Sequence, residues 1–233
     1  LRYKLGVPIS YEDVRWIKAE DLIEVGRLSS VDRSKLKNLE RRVPAPASLQ
    51  FNFLVNSLAR TPVASHRDIL FSALTEHSRR KNPGEFMLVE LQDQESFSIV
   101  PGKVGETGGT TRAPLSPLDA RISLPEQEVA GADAIFEILK AISAATGDRI
   151  GVLNELPLGR VRLVAKNEVA RDVLARTLRD SYEWKAYWNL YFGADEGVWG
   201  LNLGALYRET GERTPAGLPL IEPVRWPSRP SAP

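Results

Sequence analysis

Apolar and polar positions alternate between Leu49 and Val55, where Leu49, Phe51, Phe53 and Val55 are separated by Gln50, Asn52 and Leu54. That period of two predicts a half-buried strand. Ser65 and Asp68 then resemble a capping box with the shorter acid, and Ile69, Leu70, Ala73 and Leu74 fall on one helical face. The spacing predicts a helix from about His66 to Arg80. Asn82-Pro83-Gly84 breaks it, and Glu85–Leu91 with Ser96–Val100 read as a hairpin around the polar stretch Gln92–Glu95. The same order recurs later. Arg160–Ala165 alternates as a strand, and Asn167 offers an N-cap to a helix that buries Val169, Val173, Leu174, Thr177 and Leu178. Two strands follow. In the first, Trp184, Ala186, Trp188, Leu190 and Phe192 share one face while Tyr187 and Tyr191 take the other; in the second, Trp199, Leu201 and Leu203 share a face. One arrangement is thus written twice, from about Leu49 to Val100 and from about Val161 to Leu203.

The remaining segments extend this plan. Leu1–Leu5 reads as the end of a helix closed by Gly6, and Val7–Tyr11 as a short strand whose Pro8 makes it an edge or a strand start. Residues Val14–Ala47 have dense charge and poor periodicity, an irregular excursion with room for one short strand or helix near Asp21–Val25. Gly, Thr and Pro dominate 101–119, which predicts a linker. Beyond it, Arg121–Leu124 is a strand, and Ile135, Ile138, Leu139 and Ile142 line one face of a helix that starts after Asp133 and ends at Gly147. Arg149–Leu153 is a further strand. From Tyr207 onward repeated prolines predict a tail without a core of its own, extended or disordered. The expectation is an α+β protein of two tandem modules, built from βαβ and βαββ units with small mixed sheets and helices packed on one face. The first module spans 1–101 with an insertion at about 14–47, the linker 102–119, the second module 120–206 and the Pro-rich tail 207–233.

Composition narrows the function classes. With 42% hydrophobic and 26% charged residues over 233, the chain reads as an ordinary globular protein, and no apolar run reaches the ~18 residues of a membrane span. A formal net charge of +1 supplies no global field for nucleic acid or anionic lipid. The absence of cysteine removes disulfides, thiolate zinc sites and Cys nucleophiles. The chain opens on Leu1 at what reads as the end of a helix, which implies that preceding sequence was lost by signal-peptide cleavage or truncation.

Candidate chemistry is sparse. His66 and His77 lie on one expected helix, roughly 16 Å apart at 1.5 Å of rise per residue, too far to share a metal. Tyr11-Glu12-Asp13, with Asp21 nearby, is an acidic cluster at a strand end, which reads most simply as a solvated turn. Glu126 and Glu128 sit where a loop would precede a helix, and negative charge is favourable there without any catalytic role. The stretch Gly105–Arg112 lacks the Gly-Lys-Ser/Thr ending of a phosphate-cradling loop, and no Gly-x-Ser-x-Gly elbow exists. Arg160 and Arg162 beside an aromatic sheet invite an RNA-stacking reading, but no RNP-like motif accompanies them. The aromatic residues of the last hairpin are the strongest recognition candidates, because alternation prevents all of them from entering one core.

The second module resembles the short N-terminal domain shared by secretins and transducing TonB-dependent outer-membrane receptors. The residues that carry the likeness are Arg121–Ala130, Ala134–Gly147 with Ile150-Gly151-Val152, Arg160–Ala165 and Ala170–Leu178, covering roughly 120–206. The resemblance implies two interleaved βαβ units, a periplasmic or secreted location, and a role in protein–protein contact. Residues 1–101 look like a second, weaker copy. Over its whole length the chain is similar to uncharacterised acidobacterial proteins, from which no activity carries over. The expectation is therefore a non-enzymatic envelope adaptor without catalytic, metal or cofactor residues. Its partner is a protein of the cell envelope or a second copy, docked by strand addition or by the final hairpin through Tyr187, Tyr191 and Trp199. The alternatives are a carbohydrate-binding protein or hydrolase with Glu12, Asp13 and tryptophans in a cleft between the modules, or a Pro-rich arm at 207–233 that partners capture.

Overall fold

A computed structural model describes residues 2–15, 22–24, 42–44, 63–82, 84–92, 96–102, 116–193 and 196–227. Within them the fold is α+β, as expected. Helix α1 (Arg2–Leu5) ends at Gly6, whose φ of 66° is the left-handed geometry that glycine adopts without penalty, and β1 (Ile9–Glu12) follows. Two three-residue strands, β2 (Leu22–Glu24) and β3 (Arg42–Pro44), pair antiparallel inside the excursion. Then come α2 (Val63–Arg79) and the hairpin of β4 (Phe86–Glu90) and β5 (Phe97–Pro101). The strand expected at Leu49–Val55 and the stretch Gly105–Arg112 lie outside the described residues.

The second half opens on a 3-10 turn at Pro117–Asp119, followed by β6 (Arg121–Ala130), α3 (Gly131–Thr146), β7 (Arg149–Val152), β8 (Arg160–Val169), α4 (Ala170–Ser181), β9 (Ala186–Gly193) and β10 (Val198–Ala205). Ile135, Ile138, Leu139 and Ile142 of α3 are buried, as are Val173, Leu174, Thr177 and Leu178 of α4. Both helices lie over the Trp188, Leu190, Trp199, Leu201 and Leu203 face of the β9–β10 hairpin in one core. Helix α4 begins without a side-chain cap, so Asn167 is not its N-cap. Asn167 instead sits inside β8 with φ 53°, its N–H donating to Ser123 Oγ and its carbonyl accepting from Arg121.

Strand β6 runs past the expected Leu124 end because irregularities on either side of it absorb Pro125 while pairing with β8 continues. Glu126 and Glu128 therefore lie on a strand rather than in a loop, and they pair across it with Arg162 and Arg160. The tail also differs from expectation. Tyr207–Arg213 (β11) and Pro219–Pro223 (β12) form an antiparallel hairpin. Pro215 falls in its turn, Gly217 supplies a φ of 78°, and Pro219 and Pro223 take the ends of β12, where a missing N–H is tolerated.

The two halves do not keep separate sheets. Six strands form one sheet in the order β4-β5-β1-β9-β10-β7, with β1 parallel to both β5 and β9. In the first half β1 is parallel to β5 and β5 antiparallel to β4; in the second, β7 is parallel to β10 and β10 antiparallel to β9. Register fixes the faces. Leu88, Ile99 and Tyr11 share a row with Asn189, on the side where Leu70 of α2 packs with Ile9 and Phe97. Glu12 shares its row with Leu190, on the opposite side, where α3 and α4 pack. The same three-strand plan thus occurs twice in one sheet with its helices on opposite faces.

Candidate functional site

The final hairpin divides its aromatic residues as the alternation predicts, but only part of the predicted contact set reaches a surface. Trp199 is 2% exposed and packs against Phe192 in a tilted ring contact with centroids 4.8 Å apart. It belongs to the core, because its own strand alternates Trp199, Leu201 and Leu203 inward against Gly200, Asn202 and Gly204 outward. Tyr187 points outward and is half-buried. Its ring lies across Gly204, where a Cβ would come within 2.5 Å of it, and the Arg2 guanidinium sits 3.7 Å above the ring centroid. Arg2 also donates to Asn189 Oδ1 at 2.6 Å and to the Ile9 carbonyl, so Tyr187 is fixed between the halves.

Tyr191 is the residue left standing outward, 43% exposed. Three further rings from separate elements extend from it. Tyr11 lies 6.5 Å away centroid to centroid, Phe86 is 5.6 Å from Tyr11, and His77 of α2 meets Phe86 edge-on at 5.5 Å. Tyr11 is held by a 3.0 Å hydrogen bond from its hydroxyl to Asp13 Oδ1. Burial, and then the charge of Asp13, push its phenol well above the ordinary tyrosine range, so it stays a neutral donor. Burial lowers the His77 imidazole below its usual value and keeps it neutral at physiological pH. The result is a fixed, uncharged aromatic row across the α2 side of the sheet, with Tyr191 at its open end. No one segment of sequence contains it. Alternation placed Tyr191 outward, but Tyr11 and Phe86 join it only through the β1–β9 and β4–β5 pairings.

The acidic cluster has a different fate from the solvated turn expected of it. Glu12 is fully buried, and its carboxylate accepts four hydrogen bonds. Ser98 Oγ and Arg171 Nε reach Oε1 at 3.0 and 2.6 Å; Ser116 Oγ and Arg171 Nη2 reach Oε2 at 2.6 and 2.7 Å. Arg171 Nη2 also pairs with Asp119 at 2.8 Å. Burial by itself disfavours the guanidinium charge, but the hydrogen bonds and charge of Glu12, helped by Asp119, hold the group above its ordinary value. Asp13 accepts from the Val14 N–H and, more weakly, from the Phe192 N–H. Both acids therefore stitch β1 to the second half, and their lone pairs are engaged by protein donors. His66, the other candidate, is buried at the start of α2 and held neutral by burial and then by Lys185. A shallow apolar hollow of about 10 Å³, lined by Ile135, Phe136, Val152 and Leu156 among others, lies within the second half and is far smaller than a ligand pocket. Among the described residues no helix is long and apolar enough to cross a membrane.

Comparison with known proteins finds no family model, no curated protein and no solved structure that matches the chain.

Proposed function

We propose that the chain is a non-enzymatic interaction module of the bacterial envelope, of the type of the short N-terminal domain of secretins and TonB-dependent receptors. It docks a protein partner through the aromatic face that ends in Tyr191. The observation that carries this reading is the row Tyr191–Tyr11–Phe86–His77, in which three rings are anchored by neighbours while Tyr191 stays exposed. Rigid aromatic surface is what a contact site needs, since little conformational entropy is lost when a partner covers it. Two further observations support the class. In the second half β6–β8 forms a two-stranded sheet, and β9–β10–β7 form three consecutive strands at one end of the six-stranded sheet, with α3 and α4 packed in one core with both, in keeping with interleaved βαβ units. The acids that a hydrolase would need, Glu12 and Asp13, are engaged in the seam between the halves. An envelope location follows from the resemblance and is part of the proposal.

The test is affinity capture from an envelope extract, identification of the retained protein, and titration of the purified pair. Replacing Tyr191 by Ala should weaken that pair by about tenfold or more, the size of an aromatic anchor. Equal affinity of wild type and Tyr191→Ala would refute docking at this face.

A further inference from the structure

The sheet has two ends that pair with nothing among the described residues: the outer edge of β4 and the outer edge of β7. They are not arbitrary edges. The row Leu88–Ile99–Tyr11 in the first half corresponds to the row Leu190–Leu201–Val152 in the second, strand for strand and direction for direction. The glycines that precede β1 and β7 agree with this alignment. Gly6 and Gly147 have φ 66° and 77°, each donates its N–H to the carbonyl four residues back, and Ile9 and Ile150 each follow three residues later. Strand β7 is therefore the counterpart of β1, and β4 the counterpart of β9. Inside the chain, the β1 edge pairs in parallel with the β9 edge. The free edge of β7 is the equivalent of the first, and the free edge of β4 the equivalent of the second.

We propose that a second copy of this chain joins the first by laying its β4 in parallel along β7, repeating between molecules the β1–β9 joint that exists within one. The register follows from the internal joint. Tyr11 opposite Asn189 becomes Val152 opposite Met87 of the next copy, and Glu12 opposite Leu190 becomes Leu153 opposite Leu88. Side-chain faces agree. Val152 and Met87 both lie on the α3–α4 side of their rows; Leu153, one residue past β7 with its side chain over Gly200, lies on the α2 side, as does Leu88. Large apolar side chains already stand exposed at these positions, Met87 at 46% and Leu153 at 62%. A lone apolar edge is an aggregation hazard that proteins ordinarily blunt with charge, so a complementary pair of such edges points to an occupant that covers both. Because the joint is heterologous, each copy keeps one free end of each kind, and association continues head to tail. Where Glu12 meets Arg171 in the internal joint, the outer edge carries Leu153, so the contact lacks that ion pair and is the weaker, reversible one. The inference uses the ends of the sheet and not the aromatic row. Capture through Tyr191 can fail while self-association holds, and the reverse.

Sedimentation velocity on the 233-residue chain, from about 10 µM to about 1 mM, should show a mean size that rises with concentration, as small interfaces do. Leu153→Lys and Met87→Lys should each sediment as a monomer throughout. Mixed one to one they should form a dimer and go no further, because each retains only the edge that the other lacks. A chain that stays monomeric to the highest concentration, a single variant that still associates like wild type, or a mixture that stays monomeric would each overturn the proposal. A covalent readout guards against misfolded variants. The chain has no cysteine, so on mild oxidation Val152→Cys mixed with Met87→Cys should give a disulfide-linked dimer joining one of each, and neither alone should cross-link. Equal cross-linking by one variant alone would mean a symmetric contact and would also sink the head-to-tail joint.

Discussion

Replacing Arg171 by Met tests whether the two halves are held as one body by the ion pair at their seam. In the intact chain the Glu12 carboxylate has two serine hydroxyls and two guanidinium N–H groups around it, with Arg171 reaching it across 159 residues of sequence. Methionine fills much of the arginine volume but leaves a buried carboxylate with two neutral donors and no counter-charge. Removing one partner of a buried pair costs about 3–5 kcal/mol, a large share of the ~5–15 kcal/mol that holds a domain folded. Loss of the Asp119 contact adds little, because that carboxylate is 42% exposed and returns to water. Glu12→Leu alone leaves the buried guanidinium with Asp119 as its remaining counter-charge and costs less than Arg171→Met. The double variant Glu12→Leu/Arg171→Met carries no buried charge. It loses only the serine hydrogen bonds, about 1 kcal/mol each, and Ser116 keeps its bond from the Leu118 N–H. Urea unfolding of the four proteins should therefore give a double variant several kcal/mol more stable than the sum of the singles. Additivity to within about 0.5 kcal/mol, or a loss under about 1 kcal/mol in Arg171→Met, would refute a coupled buried pair.

Two further perturbations follow from the same packing. His66 is held neutral in the folded chain, its pKa lowered by burial and then by Lys185, so the unfolded chain binds the extra proton as pH falls below about 6.5. Stability should be present above that value and lost below it, and because His77 acts in the same sense, His66→Gln should reduce, not abolish, the fall in urea midpoint between about pH 8 and pH 5; parallel curves would rule out a His66 contribution. Gly131 opens α3 where a Cβ would lie 2.5 Å from Leu158 Cβ and 2.8 Å from the Gly159 carbonyl. Gly131→Ala should cost about 1–3 kcal/mol by thermal or urea unfolding despite alanine's better helix propensity, and a stabilised variant would show that the site has room.

What the sequence revealed and what it concealed divide along the range of the interactions. The helices and hairpins were readable because the burial of Ile135, Ile138, Leu139 and Ile142, or of Trp188 and Leu190, repeats at a helical or strand period within a few residues. The β11–β12 hairpin escaped because nearly every residue of β11 is exposed on both faces and offers no period to detect. Strand β6 escaped beyond Leu124 because Pro125 reads as a stop, whereas the register shifts around it accommodate the ring. The burial of Glu12 could not be inferred, since nothing near it in sequence names Arg171 as its partner. Trp199 was a different kind of miss. Its alternation with Leu201 and Leu203 already assigned it to the buried face, and the outward Gly200, Asn202 and Gly204 were the signal that the aromatic surface there belongs to β9. The aromatic row was hidden for the same reason as the ion pair, because strand order brings Tyr11 beside Tyr191 and local pattern does not encode strand order.

The chemistry of the seam explains why its register is single. A one-residue slip of β1 against β9 would turn Glu12 to the α2 side of the sheet and Tyr11 toward Arg171, leaving the guanidinium without its carboxylate in a buried site. Burying an ion pair is weak evidence for net stability, because desolvation of the two charges offsets most of their attraction, but a misregistered pair suffers the desolvation without the attraction. The Glu12–Arg171 contact is therefore best understood as selecting one alignment of the halves, while Arg2 on Tyr187 and the Leu190 row supply packing around it. Apolar side chains such as Met87 and Leu153 penalise a slipped register far less, since a leucine against any apolar neighbour is similarly satisfied. A permanent joint calls for the charged pair and an exchangeable one does not; the inner joint carries Glu12 and Arg171, whereas the outer edges carry Met87 and Leu153 where the proposed intermolecular joint would form.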